Sequence, residues 1–232
     1  ALGKLEPGSR HSAASAADAV HTALQQALVA KRSGKPVGLS TGLPSVDLLH
    51  GPMQPGHLVV LAGRPGMGKS AVALAVARRV AEAGHGVAYL SLEMEAAEHG
   101  ARLLSDLAFG DPEGAEGQLE VEYQNMVLGR VGDQDLARLD SIAALVAKTP
   151  LLIDDRGRVP FGEIGTRVRS VRRQLEDRFG VTLELLVVDH LGLLEAPQKP
   201  GRGMGRTEAV TEITAELKRI AREQQICIIL LS

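Results

Sequence analysis

Residues 63 to 70 read Gly63, Arg64, Pro65, Gly66, Met67, Gly68, Lys69 and Ser70, and this octet holds the groups needed to grip a triphosphate. Glycines let a backbone curl until its N–H groups point inward at an anion, and a helix start adds the positive end of its dipole. Lysine in the seventh place can reach the β- and γ-phosphates, while serine in the eighth can offer its hydroxyl to Mg²⁺. The surroundings agree with that use. An apolar run from His57 to Ala62 precedes the octet, and the alanine- and valine-rich stretch from Ala71 to Ala83 follows it, so the glycines fall where a strand passes into a helix. The expectation is a nucleoside triphosphate held by residues 63 to 70 and the first following amide, that of Ala71.

Hydrolysis would require two carboxylates besides the loop, one for the magnesium shell and one to orient the attacking water. Asp189 ends the aliphatic run Leu185 to Val188, and Asp154 ends the shorter run Leu151 to Ile153. The longer, more uniform run suits a central parallel strand and favours Asp189, with Asp154 as its rival. For the second acid, Glu93 follows directly on the next strand, in the stretch Tyr89 to Met94. It would stand at the same sheet edge as the loop and could polarise water there. The alternative is a solvated acid opening the next helix, where the dipole welcomes negative charge.

Basic residues cluster twice. A helix over 161–179 would carry Arg167, Arg169, Arg172, Arg173 and Arg178 opposite the stripe Ile164, Val168, Val171 and Leu175, and reads as a solvated face or a subunit contact. Lys199, Arg202 and Arg206 are spaced through the glycine-rich loop 197–206, just after the Asp189 strand. Spaced cations on flexible backbone suit a phosphodiester chain, though an ordinary surface loop has the same composition. Thr207 then reads as the N-cap of a helix over 207–224 whose buried stripe is Val210, Ile213, Leu217 and Ile220.

These groups need a scaffold. Strands at 57–62, 86–92, 151–154, 183–189 and 226–231 alternate with helices at 69–83, 95–109, 161–179 and 207–224, the pattern of an α/β fold with a mainly parallel sheet. Ligands then gather at the carboxyl ends of the strands. Residues 110 to 135, rich in glycine and acid, form a connection without a legible period. Ahead of the sheet, residues 1–12 read as a tail, and Ser15 to Lys31 places Ala17, Val20, Leu24, Ala27 and Leu28 at helical spacing. So narrow a stripe on a polar helix must dock, either on its own chain or on a neighbouring subunit.

With 232 residues and 44% hydrophobic content, one large core is expected. The only aromatic residues are Tyr89, Tyr123, Phe109, Phe161 and Phe179, and Trp is absent, so a nucleic-acid site built on base stacking would have few platforms. A formal charge of −2 excludes a uniformly basic surface but permits a local patch. Cys227, the single cysteine, sits in an apolar run and reads as a small buried hydrophobe; no disulfide can form within the chain. No signal peptide or apolar span of about 20 residues is present, so a reducing cytoplasm is the default compartment.

Taken together, the stretches Thr41 to Asp47, Met53 to Gly56, Gly63 to Ser70, Ser91 to Met94, Ile153 to Asp155, Val187 to His190 and Glu212 to Lys218 resemble the motor domain of the bacterial replicative DNA helicases. This is the DnaB-like family with a RecA-type fold, and the resemblance runs from about Gly38 to Ser232. It implies a RecA-like P-loop NTPase with helices on both faces of a twisted sheet, preceded by a linker helix. Residues 1–37 would be tail and linker, and 38–232 the ATPase motor. What it further implies is a cytoplasmic hexameric ring that hydrolyses ATP with Mg²⁺ between subunits and moves along single-stranded DNA. Lys69 would then act on the phosphates, Ser70 and Asp189 on the metal, and Glu93 as the catalytic acid, while Lys199, Arg202 and Arg206 would face the channel. The linker helix would grip the next subunit, and a helicase loader or primase would be a further partner.

Departures from the family pattern are His190 and Gly192, where Tyr and Gln are usual, and Ala215, where Arg is common. The chain stops at Ser232 inside a motif that in the family continues to a sensing Gln and an arginine finger, which suggests a fragment of feeble isolated activity. Two other readings accompany the helicase: a RadA- or KaiC-like ATPase on the same fold, and an ATP-binding paralogue that joins or blocks a ring without turnover.

Overall fold

The structure, a computed structural model, describes residues 15–34, 36–109, 123–157, 159–191, 194–195 and 206–232. The chain divides into two compact units, residues 1–38 and 39–232.

In the first unit, helix α1 spans Ala16–Ser33 and starts with a reciprocal cap. The Ser15 hydroxyl accepts from the Asp18 amide at 3.1 Å, and the Asp18 carboxylate accepts from the Ser15 amide at 3.3 Å. Lys31 and Arg32 in the last turn complement the dipole. The expected helix is present, and Val20, Leu24 and Leu28 of its stripe are exposed.

The second unit begins with a bridge between Leu39 and Met53 that encloses α2 (Pro44–His50). In order there follow β1 (Leu58–Leu61), α3 (Lys69–Glu82), β2 (Gly86–Ser91), α4 (Ala96–Phe109), α5 (Tyr123–Val127), α6 (Asp133–Val146), β3 (Leu151–Asp154) and β4 (Val159–Pro160). Then come α7 (Ile164–Phe179), β5 (Leu183–Asp189), β6 (Leu194–Glu195), α8 (Arg206–Gln224) and β7 (Cys227–Leu231). Among the described residues the main sheet has the order β1-β7-β5-β2-β3, with every pair parallel, and β4 pairs with β6 separately.

Alternation along each strand creates two cores. Ala88, Leu90, Leu186, Val188, Ile228 and Leu230 face α7 and α8, where they meet Ile164, Val168, Val171, Leu175, Ile213, Leu217 and Ile220. Val87, Tyr89, Leu185, Val187, Cys227 and Ile229 face the other way, against Leu74, Ala77 and Val80 of α3 and Leu103 of α4. Both faces of β2, β5 and β7 are thus covered, which is why those strands read as unbroken apolar runs. Cys227 is fully buried, as expected, and burial pushes its thiol up to about 12, against a small opposing effect of Lys218.

Several boundaries differ from the sequence reading. A single 3₁₀ turn, Phe161–Glu163, precedes α7, so the helix proper starts at Ile164. Helix α8 starts at Arg206, so Thr207 lies inside it and is not the cap; its carbonyl accepts from the Thr211 hydroxyl at 2.9 Å. Helix α2, over Pro44–His50, is not among the expected helices. The glycine-rich connection contains α5 and leads into α6, while residues 110–122 lie outside the described residues.

Candidate active site

The phosphate loop joins β1 to α3 and is exposed from Gly63 to Gly68, with Lys69 and Ser70 half-buried. Its stem is fixed by two hydrogen bonds to the end of β7: the Gly63 amide donates to the Ser232 carbonyl at 3.2 Å, and the Ser232 amide to the Leu61 carbonyl at 3.1 Å. Gly66 and Gly68 have φ of +79° and +80°, a region that residues with a Cβ enter at a cost. These two left-handed residues turn the chain from the stem into α3. Gly68 caps α3 with no side-chain hydrogen bond, which leaves the first amides of the helix available to an anion. Lys69 Nζ lies over the stem, donating to the carbonyls of Gly63 at 2.7 Å and Arg64 at 3.3 Å. A curled, uncapped helix start with an ammonium folded over it fits a phosphate chain.

Asp189 ends β5, the central strand, and is 5% exposed. Its Oδ2 accepts from the hydroxyl of Tyr89, on neighbouring β2, at 2.6 Å. Burial, then the Asp189 carboxylate, drive the Tyr89 phenol well above its ordinary pKa, so it remains a donor; Arg102 and the Ser70 hydroxyl act on it weakly in the opposite sense. Tyr89 is thus held against the acid of β5. Among the described residues no cluster of three or more His, Cys, Asp or Glu forms a metal cage. One carboxylate and one hydroxyl beside a phosphate site match the sparse protein ligation that Mg²⁺ accepts.

Glu93 follows β2, whose Ser91 is in register with Asp189. The Leu92 amide donates to the Asp189 carbonyl at 2.7 Å, which ties the Glu93 turn to the end of β5. Ser91 closes that turn, its Oγ donating to the Met94 carbonyl at 2.5 Å and accepting from the Met94 amide at 3.2 Å. His99 Nε2 lies 2.9 Å from the same oxygen. Because the Ser91 proton is directed at Met94, this network assigns the proton to Nε2 of His99. Burial holds His99 below its ordinary pKa, and the ring is neutral at neutral pH. Asp155 adds a further brace by accepting from the Ala96 amide, the first of α4, at 2.7 Å. So held, the Glu93 side chain is 65% exposed and its Oε2 is 3.2 Å from His190 Nδ1. It is a solvent-facing carboxylate at the carboxyl edge of the sheet, next to Asp189, and it precedes α4 without opening it.

The rival acid is otherwise engaged. Asp154 accepts two bonds from Arg156, at 2.8 and 2.6 Å, and Arg167 lies 3.6 Å away. Burial raises its pKa, but the Arg156 hydrogen bonds and charge, with Arg167, outweigh it and hold the carboxyl below its ordinary value. Arg167 also reaches the Arg156 and Gly157 carbonyls, and Arg172 donates to the Gln224 carbonyl at the end of α8 at 2.7 Å. The α7 arginines are thus not merely a solvated face, since two of them clamp neighbouring backbone. Lys199 and Arg202 lie outside the described residues, and Arg206 opens α8.

The family profile described as DnaB-like helicase C terminal domain matches residues 38–232. The chain belongs to this family. Replicative DNA helicase DnaC of Bacillus subtilis is 33% identical over 203 residues, covering 87% of this chain and 40% of its own. Replicative DNA helicase DnaB of Geobacillus stearothermophilus is 32% identical over 203 residues, with the same shares. Of solved structures, a separately solved ATPase domain superposes with a TM-score of 0.77 at 25% identity, over 95% of this chain and 72% of that one. A DnaB-like replicative helicase, studied for its interactions with primase, gives 0.76 at 25% identity, over 97% and 49%. The chain spans about two fifths of the length of these two curated relatives. As a DnaB-like domain it has a RecA-like ATPase fold, and its ligand class is a nucleotide.

Four supporting residues of this DnaB-like site escaped the sequence reading: Tyr89, Ser91, His99 and Asp155. Ser91 and Asp155 stand in the family-like stretches without a role of their own, and Tyr89 left a signal in its residue type. A phenol among aliphatic residues of a buried strand requires a polar partner, which the sequence alone does not identify.

Proposed function

We propose that this chain is the ATP-hydrolysing motor core of a replicative DNA helicase. The observation that carries the reading is that the Gly63–Ser70 loop after β1, Asp189 at the end of β5 and Glu93 just after β2 lie at the same carboxyl edge of one parallel sheet, with the Leu92 amide bonded to the Asp189 carbonyl beside Glu93. Lys69 and the backbone amides at the start of α3 would bind the phosphates of ATP within the loop of residues 63–71, and Ser70 with Asp189 would hold Mg²⁺. When bound there, magnesium would supply charge neutralisation to the phosphates. Glu93, exposed and adjacent, would orient the attacking water. Lys199, Arg202 and Arg206 would contact the backbone of single-stranded DNA.

The assembly we infer is a hexameric ring, with α1 as the linker that grips the next subunit. Two observations support it: the exposed stripe Val20, Leu24 and Leu28 on α1, and an apolar groove lined by Leu104, Met126, Val131, Leu136, Leu139 and Ala143 that could receive such a stripe from another copy. Among the described residues no helix is long and apolar enough to cross a membrane, and we place the protein in the cytoplasm with its DNA; a helicase loader or primase would be a further partner.

The test is ATP hydrolysis with and without single-stranded DNA, beside unwinding of a forked duplex. DNA-stimulated turnover with unwinding supports the helicase. Stimulated turnover without unwinding assigns a RadA- or KaiC-like ATPase, and nucleotide binding without turnover a regulatory paralogue. Sizing with and without ATP tests the ring.

A further inference from the structure

We propose that Tyr89 is a positioning residue for the divalent ion, its hydroxyl holding one oxygen of Asp189 so that the other is presented toward the Ser70 side of the phosphate loop. This role rests on the phosphate-site reading above. Tyr89 is fully buried, and its hydroxyl meets Asp189 Oδ2 at 2.6 Å. It is paired with Val187, two rungs before Asp189, so the phenol reaches along β5 to the carboxyl edge. The ring is itself held in place. His99 packs on it with centroids 4.7 Å apart and planes at 54°, and His99 is tied to Ser91 in the turn that carries Glu93. A carboxylate given no donor would be free to turn about its own bond. A donor on one oxygen fixes the plane of the carboxylate, which directional metal coordination requires. Tyr89 thus links the metal acid to the turn of the catalytic acid.

A phenol that only satisfied a buried acid would matter for stability alone, and metal dependence separates the two roles. ADP binding is measured for the chain and for Tyr89→Phe, with Mg²⁺ or Mn²⁺ and again in EDTA. The expected result is binding weakened roughly tenfold with metal and changed less than about twofold in EDTA, as for loss of a hydrogen bond to a charged group. Equal loss in both conditions, no loss in either, or tighter metal binding overturns the role. Absence of any ADP binding by the unsubstituted chain overturns the phosphate-site reading and this role with it.

A second measurement does not depend on the folding of that variant. The chain has 2 Tyr and no Trp, so Tyr123→Phe leaves Tyr89 as its single strong ultraviolet emitter. A phenol bonded to a carboxylate loses its proton to it on excitation and is dim. Emission should rise in Tyr123→Phe with added Asp189→Asn, and on binding Mg²⁺ and ADP together, where the metal draws electron density from the carboxylate. It should not rise with ADP in EDTA. Binding of Mg²⁺ and ADP with unchanged emission overturns the proposal.

Discussion

The ammonium of Lys69 donates to the Gly63 carbonyl at 2.7 Å, so the cation of the phosphate loop rests on the loop's own stem. A nucleotide must draw it away, exchanging two backbone carbonyls for phosphate oxygens of full charge. Lys69→Ala should therefore weaken ATP binding by about 10- to 100-fold or more, since hydrogen bonds to charged groups contribute about 1.5–3 kcal/mol each. Lys69 is only half-buried and its two acceptors are backbone carbonyls of its own loop, so the melting temperature should move by no more than about 2 °C. Calorimetric titration beside a thermal melt checks both halves.

Glu93→Gln keeps size and hydrogen bonding but removes the charge that orients water. Turnover should fall by about 10²- to 10⁴-fold while ATP affinity changes little. A single-turnover assay beside equilibrium binding reads the split, and full turnover in this variant would move the catalytic role to another acid.

Asp154 predicts an acid limb of stability. Its folded-state pKa lies below the usual 3.8, so the unfolded chain takes up protons first as pH falls. The stabilisation is fully present above that value and is lost as pH drops from about 3.8 toward the lower folded value. Asp154→Asn should lower the denaturant midpoint at pH 7, because Arg156 and Arg167 lose their acid, and should flatten the dependence between pH 5 and pH 3 on the order of one titrating group. Urea titrations across that range measure both.

Neutralising Lys199, Arg202 and Arg206 together should weaken single-stranded DNA binding and reduce the slope of log affinity against log salt by about 2, at roughly 0.7 per phosphate contact. An unchanged slope returns the 197–206 loop to ordinary surface.

Gly86 stands where β2 shifts register against β5, and a Cβ there would collide with the Thr182 carbonyl oxygen. The obstacle is backbone, which cannot rotate aside. Gly86→Ala should destabilise by about 1–3 kcal/mol or more, read as a lower midpoint in denaturant with the slope unchanged.

The fold was legible where one physical cause dominates. A strand covered on both faces has no alternative to a continuous apolar run, and Leu185–Asp189 and Cys227–Leu231 announce themselves in that way. Helix α7 was equally plain, since Ile164, Val168, Val171 and Leu175 are all buried on one side. Helix α6 was missed because its few buried residues, Leu139 and Ile142, meet a small local cluster and its start is merged with a glycine-rich stretch. At the site, the octet, Glu93 and Asp189 could be named because each sits at a strand end, where the α/β pattern concentrates ligands. Tyr89 and Asp189 lie 100 positions apart, and Asp155 caps a helix that starts 59 positions earlier. Such pairings depend on strand order, which no local pattern encodes. The arginines of α7 show the same limit, for Arg172 finds its acceptor only once α8 is laid beside it.

Because Gly63 is bonded to Ser232, and Ser232 in turn to Leu61, the base of the nucleotide cradle is welded to an interior strand instead of hanging from the rim. Compliance is then confined to the short arc from Arg64 to Gly68. Any push that an arriving phosphate exerts must pass into β7, and from there to β5 and its terminal acid, so that the sheet would behave as a single plate carrying the signal sideways.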